Sequence, residues 1–200
     1  MMKEKIIEKS ADLFLNLGFK SVTMDDIAQE MGISKKTIYQ YFATKTKLVE
    51  ATAIFKFNCI NDAINLCFCA KVNPIEEILK MKDFIISQIN SERPSAEYQF
   101  KKYYPRIFSI LKQKQFEITK DCISGNLKRG IKEGYYREDI NIEFISRAFF
   151  ALMVSLKDEE VFPKDTFTKI ELLGYVLDYH LRGISTIKGQ EFLNQIKTNN

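Results

Sequence analysis

Apolar residues recur along this chain with a period near 3.6, so helices dominate the expected fold. Ile6, Ile7, Ala11, Leu13, Phe14 and Leu17 make one broad stripe on a first helix, and Gly18 is placed to end it as a left-handed cap. Further helices are predicted over about 24–31, 35–41, 45–70, 75–91, 95–112, 115–133, 141–157 and 165–185, with a short one near 189–197. No segment alternates apolar and polar residues as a half-buried strand does. Pro74, Pro94 and Pro163 suit helix starts. Pro105 falls inside a helical pattern and predicts a kink or break. The fold class is therefore all-α, in two parts. Residues 1–46 hold three short helices, residues 47–200 hold longer aromatic-rich ones, and helix 45–70 joins them without a flexible linker.

Composition adds bounds. With 200 residues, 46% of them apolar, the chain can bury a sizeable core and is no disordered polymer. The longest apolar run, Ala148 to Val154, is far too short to span a bilayer. Only Ile6-Ile7 precede the charged Glu8-Lys9, which gives no secretory signal. The expected location is the cytoplasm, away from membranes. Of the four cysteines, Cys67 and Cys69 project about 200° apart on a helix and cannot share a metal or a disulfide. With Cys59 and Cys122 they read as small buried hydrophobes in a reducing compartment, a redox switch being the alternative.

The net charge of +4 says little; its distribution says more. Lys35, Lys36, Lys45 and Lys47 occupy the window from Gly32 to Val49, which contains no acid. Asp25, Asp26 and Glu30 precede it and Glu50 follows. Such a patch fits a polyanion site, or else an ordinary solvated face.

The segment from Val22 to Phe42 decides between them. Thr23 suits an N-cap, with Asp25 and Asp26 in the positive first turn. Gly32 supplies a tight turn and Ser34 caps the next helix. This is the layout of a helix-turn-helix. On a wheel, Ile38 and Phe42 point together toward a core, while Lys36, Thr37 and Gln40 point away, toward a major groove. Lysine can donate to guanine, glutamine can pair with adenine, and a threonine methyl can meet thymine. Tyr39 and Tyr41 flank this face, where hydroxyls reach phosphates. Thr23, Lys45 and Lys47 sit at helix N-termini, which favour phosphate. The predicted DNA-binding set is Thr23, Ser34, Lys35, Lys36, Thr37, Tyr39, Gln40, Tyr41, Lys45 and Lys47.

At these residues the chain closely resembles the TetR family of transcriptional regulators. The resemblance runs from about Lys5 to Ala51. It rests on Ala11-x-x-Phe14, Gly18-Phe19 with Thr23 beyond, Ile27-Ala28, Met31-Gly32-Ile33-Ser34 and Ile38-Tyr39-x-Tyr41-Phe42-x-x-Lys45-x-x-Leu48. Thr46-Lys47 stand where the family usually carries acids, which makes this junction more basic. Later, Gly134-Tyr135-Tyr136-Arg137-Glu138-Asp139-Ile140 looks like the family's loop before its last two long helices.

The resemblance implies that residues 1–46 bind DNA and that residues 47–200 dimerise and hold an effector. The expected dimer interface comprises Phe144, Ala148, Ala151, Leu152 and Ser155 on one helix, with Ile170, Leu173, Leu177 and Leu181 on the next. Phe55, Cys59, Phe84, Tyr103, Phe108 and Phe116 are the expected ligand-binding residues. Sixteen phenylalanines and nine tyrosines without a tryptophan favour an apolar or aromatic molecule.

No enzyme is expected. His180 is the lone histidine, and no HExxH, phosphate-binding glycine loop or GxGxxG occurs. Neither cofactor nor metal is implied. The expected function is a ligand-responsive regulator, a repressor, that binds a palindromic double-stranded operator as a homodimer and is released by a small molecule. The competing reading is a helical ligand-binding or interaction protein whose helix-turn-helix no longer binds DNA. Intact caps together with the lysine patch favour the first.

Overall fold

A computed structural model describes residues 1–68, 72–91 and 94–198. Among these residues ten helices occur and no strand. They are α1 Met2–Leu17, α2 Met24–Met31, α3 Lys35–Tyr41, α4 Lys45–Phe68, α5 Pro74–Ser91, α6 Pro94–Tyr103, α7 Pro105–Lys132, α8 Ile142–Ser155, α9 Lys169–Ile184 and α10 Ile187–Thr198. The all-α fold follows from the 3.6 periodicity.

Two boundaries differ from expectation, each for a local reason, and one cap differs in conformation. The predicted gap between 112 and 115 is absent, and the break lies at Tyr104-Pro105. Pro105 has no N–H to continue α6, whereas Lys112-Gln113-Lys114-Gln115 is polar but made entirely of good helix formers. Pro163 opens no helix. Instead α9 starts at Lys169, where the Thr168 hydroxyl accepts from the Glu171 amide and the Glu171 carboxylate accepts from Thr168 N–H at 2.9 Å. Gly18 ends α1 at φ 91°, ψ 149°, a positive φ but not the left-handed helical conformation.

The chain forms two compact units, Met1–Asp62 with Glu92–Lys114, and Ala63–Ser91 with Gln115–Asn200. In the first, Ile6 and Phe14 of α1 meet Ile27 and Ala28 of α2, Ile38 of α3, and Leu48 and Val49 of α4. Leu17, assigned to the apolar stripe of α1, is 60% exposed and belongs to no core. Ala96 and Ile107 join this core, so α6 and the start of α7 pack with the N-terminal helices. Phe19 stacks on Phe14 at 5.2 Å and on Phe100 at 5.1 Å, with Tyr104 edge-on at 6.1 Å. Such ring pairs add about 0.5–1.5 kcal/mol each beyond burial. Gln99 Oε1 accepts from Lys20 N–H at 3.0 Å, fixing α6 to the turn after α1.

The second unit packs Ile75, Ile78 and Met81 of α5 against Ile123 and Leu127 of α7, Phe149 of α8, and Leu173, Leu177 and Leu181 of α9. A buried polar network crosses it. Glu77, 1% exposed, accepts from Asn126 Nδ2 at 2.9 Å and pairs with Arg129. The Tyr136 hydroxyl donates to Asn126 Oδ1 at 3.1 Å, and burial pushes this phenol far above its usual pKa. Gly130 has no space for a side chain, because an added Cβ would lie 2.0 Å from the Tyr136 ring. The loop after α7 is tied to the end of α9 by Arg137 N–H donating to Ile184 O at 2.8 Å and Thr186 N–H to Tyr135 O at 3.0 Å. This Gly134–Ile140 loop therefore works as a clamp.

Candidate nucleic-acid interface

The geometry from Thr23 to Leu48 is that of two capped helices set by a glycine turn. Thr23 caps α2, its hydroxyl accepting from Asp26 N–H at 3.2 Å while the Asp26 carboxylate accepts from Thr23 N–H at 2.8 Å. Gly32 adopts φ 63°, ψ 32°, where a side chain would be strained. Its N–H donates to Gln29 O and the Ile33 N–H to Ala28 O, a Schellman ending for α2. The Ser34 hydroxyl caps α3 by accepting from Thr37 N–H at 3.1 Å. Thr44 caps α4 in the same way, its hydroxyl accepting from Lys47 N–H at 3.2 Å.

These caps hold α3 with Ile38 fully buried and Phe42, just past its end, 4% exposed. Lys36 and Gln40 stand exposed on the opposite side, with Tyr39 and Tyr41 exposed beside them. Thr37 departs from the expectation. It is half-buried, and its hydroxyl lies 2.8 Å from that of Ser34, so it acts within the cap.

The lysine patch is partly neutralised. Lys35 pairs with Asp25 and Lys47 with Glu50, both at 2.8 Å. Lys45 is half-buried. Its ammonium lies 5.9 Å from the Phe14 ring centroid and donates to Lys20 O at 3.4 Å, and partial burial lowers its pKa. Lys45 is thus held in place at the start of α4. The contribution of Lys20 and α6 to this neighbourhood was not anticipated, although Ala96, Phe100 and Tyr104 recur at the i, i+4, i+8 spacing of a buried helical stripe.

The six expected ligand residues divide between the units. Phe55, Cys59, Tyr103 and Phe108 lie in the first, Phe84 and Phe116 in the second. Phe55 is half-buried, Phe108 sits edge-on to Phe100 at 6.1 Å, and Tyr103 is 42% exposed. Phe84 is half-buried, and Phe116 packs edge-on to Phe150 at 5.1 Å. Cys59 is exposed, contrary to its reading as a buried hydrophobe, and Cys122 is half-buried with its thiol 3.7 Å from Asn65 Oδ1. Cys69 and the side chain of Cys67 lie outside the described residues. A groove of about 430 Å³ within the second unit is lined by Leu79, Lys82, Ile170, Tyr175, Leu181 and Leu193 among others, and sequence pattern alone did not reveal it.

Of the expected interface residues, Leu173, Leu177 and Leu181 are at most 2% exposed in the single chain and belong to its core. Their positions coincide with the inward stripe of α9, so periodicity could not tell core from interface. Phe144 at 66% and Ile170 at 41% are open, Ala151 is exposed, and Ala148, Leu152 and Ser155 are half-buried. The exposed rings on α9 are Tyr175 and Tyr179, at 62% and 74%. His180 lies inside, its ring 4.8 Å from that of Phe149. Among the described residues no histidine, cysteine and carboxylate cluster could hold a metal, and no helix is long and apolar enough to cross a membrane.

Residues 6–52 match the tetR family of bacterial regulatory proteins. IcaR of Staphylococcus aureus, a helix-turn-helix negative regulator of the biofilm operon icaADBC, is 35% identical over 63 residues. That match spans 32% of this chain and 34% of IcaR, so about a third of the relative's length. The transcriptional repressor KstR2 of Mycobacterium tuberculosis is 24% identical over 72% of this chain and 73% of its own. Among solved structures, a transcriptional regulator from Cytophaga hutchinsonii shares the fold with a TM-score of 0.72 and 22% identity, covering 92% of this chain and 98% of that one.

Proposed function

This chain belongs to the tetR family of bacterial regulatory proteins, and we propose that it is a transcriptional repressor that binds a palindromic operator as a homodimer and leaves it when a small apolar or aromatic molecule binds. The observation that carries this reading is α3 itself. Its inner side, Ile38 with Phe42 behind it, is buried, its outer edge of Lys36 and Gln40 is exposed, and both flanking helices are capped, by Thr23 and Thr44. A lysine and a glutamine one helical turn apart can read guanine and adenine edges in a major groove. Tyr39, Tyr41, Lys45, Lys47 and the amide ends of α2 and α4 are the phosphate contacts that set its register. Ser34 and Thr37 build the cap that orients this edge, and Lys35 stays tied to Asp25 beside it.

One such helix makes few base contacts, so two copies are needed on half-sites about one helical turn apart. The exposed apolar side chains of α8 and α9, Phe144, Val154, Tyr175 and Tyr179, supply the self-association surface. The effector is assigned to the second unit, where Phe84 and Phe116 lie. Effector and operator then compete through a coupling of about 1–3 kcal/mol, roughly 5–150-fold in affinity.

Selection of bound duplexes from a random pool, followed by fluorescence polarisation, tests the reading. The expected product is a palindrome bound by two copies with strong salt dependence. Recovery of no common sequence would leave the competing reading, a helical protein without operator recognition, as the better one.

A further inference from the structure

Residues 94–114 contain five basic residues, Lys101, Lys102, Arg106, Lys112 and Lys114, and the single acid Glu97. That surplus equals the +4 of the whole chain, so the rest of the sequence is balanced. This stretch belongs to the first unit, packed with the helix-turn-helix rather than apart from it.

The charge is arranged, too. Lys45 donates to Lys20 O, and Gln99 of α6 accepts from Lys20 N–H. The Lys20 ammonium lies 5.7 Å from the Tyr103 ring centroid, and Lys102 sits 5.7 Å from the same ring and 5.6 Å from that of Tyr98. Two lysines thus bracket one exposed tyrosine, and a second exposed tyrosine extends the row. No described ion pair involves Lys20, Lys101, Lys102 or Arg106, whereas Lys9, Lys35, Lys47 and Lys56 of the same unit each have a carboxylate partner. The aromatic contacts hold the ammonium groups out without neutralising them.

We propose that the Lys20–Tyr103–Lys102 face of α6 is a second DNA contact, a phosphate-binding extension that continues from Lys45 onto the backbone flanking each half-site. This inference rests on the operator-binding reading above. It assigns Tyr103, expected from sequence to touch an effector, to the nucleic-acid side. Lysines beside tyrosine hydroxyls recognise phosphates without reading bases, so the extension adds affinity and salt dependence but no sequence preference.

The test uses the full chain and two duplexes carrying the selected palindrome, one ending at the half-sites and one with about eight arbitrary base pairs added at each end. The native protein binds the long duplex several-fold tighter, with a steeper dependence on salt. Lys20→Ala/Lys102→Ala removes up to four lysines per dimer from that contact and reduces the slope of log affinity against log salt on the long duplex by about 2–4. Its affinity for the short duplex and its base preference stay unchanged. Equal affinity of the native protein for both lengths, or an unaltered slope in the double variant, overturns the proposal while operator recognition stands. Failure to select any palindrome overturns the operator reading and this extension together.

Discussion

The amide of Asp26 donates to the Thr23 hydroxyl at 3.2 Å while the Asp26 carboxylate accepts from the Thr23 amide at 2.8 Å, a reciprocal pair at the start of α2. Thr23→Ala removes the cap and lowers stability by about 1 kcal/mol. The backbone bond from Thr23, then its hydroxyl, hold the Asp26 carboxyl below its ordinary value of 3.8. A carboxyl lowered in the folded state stabilises above its unfolded pKa and loses that contribution as pH falls through the folded one. Thermal melts at pH 7 and pH 3 should therefore show the Asp26 carboxylate contributing less at pH 3 than at pH 7, and Asp26→Asn should narrow the difference between them.

Two glycines in α7 are expected to behave oppositely. A Cβ on Gly130 would lie 2.0 Å from the buried Tyr136 ring, whereas one on Gly125 meets only the Arg129 guanidinium at 3.8 Å. Gly130→Ala should destabilise by about 1–3 kcal/mol or more through overpacking. Gly125→Ala should be neutral or stabilise by up to about 1 kcal/mol, since it lowers the entropy cost of a helix interior. Urea denaturation of the two variants separates these outcomes, and similar midpoints would contradict the packing described for Tyr136.

Much of the first unit could be read from the chain because its signals are local. Thr23, Gly32 and Ser34 act on amides within a few residues, so cap and turn chemistry placed α2 and α3 to the residue. The docking of α6 was not legible, since Phe19–Phe100 and Lys20–Gln99 join residues about eighty positions apart. In α9, Leu173, Leu177 and Leu181 carry the same spacing whether they meet their own core or a second copy. Thr37 pointed outward on the wheel, but its hydroxyl found Ser34.

Burial lowers the His180 imidazole from 6.5 to about 4. The folded state holds this ring neutral, so between those values the unfolded chain binds more protons. Its contribution is full above pH 6.5 and is lost as pH falls toward 4, at most about 3 kcal/mol. His180→Leu should flatten the decline in urea midpoint between pH 7 and pH 5, and an unchanged decline would assign it to other groups.

The proposed self-association surface makes a sharp distinction within α9. Tyr175 and Tyr179 are exposed, so Tyr175→Glu/Tyr179→Glu should give a folded monomer in sedimentation. Leu177→Ala removes core atoms at a site 2% exposed and should cost about 2–5 kcal/mol of stability instead. A double-tyrosine variant that stays dimeric would place the interface elsewhere.

The edge of α3 is the centre of this account, and base preference is its most direct readout. Binding of native, Lys36→Ala and Lys45→Ala proteins should be measured against the selected operator and each of its single-base-pair variants. Lys36→Ala should lose about 1–3 kcal/mol of discrimination at one base pair in each half-site. Lys45→Ala, at the start of α4, should weaken every duplex alike. A changed base preference in Lys45→Ala with an unchanged one in Lys36→Ala would contradict the assignment of α3 as the reading helix.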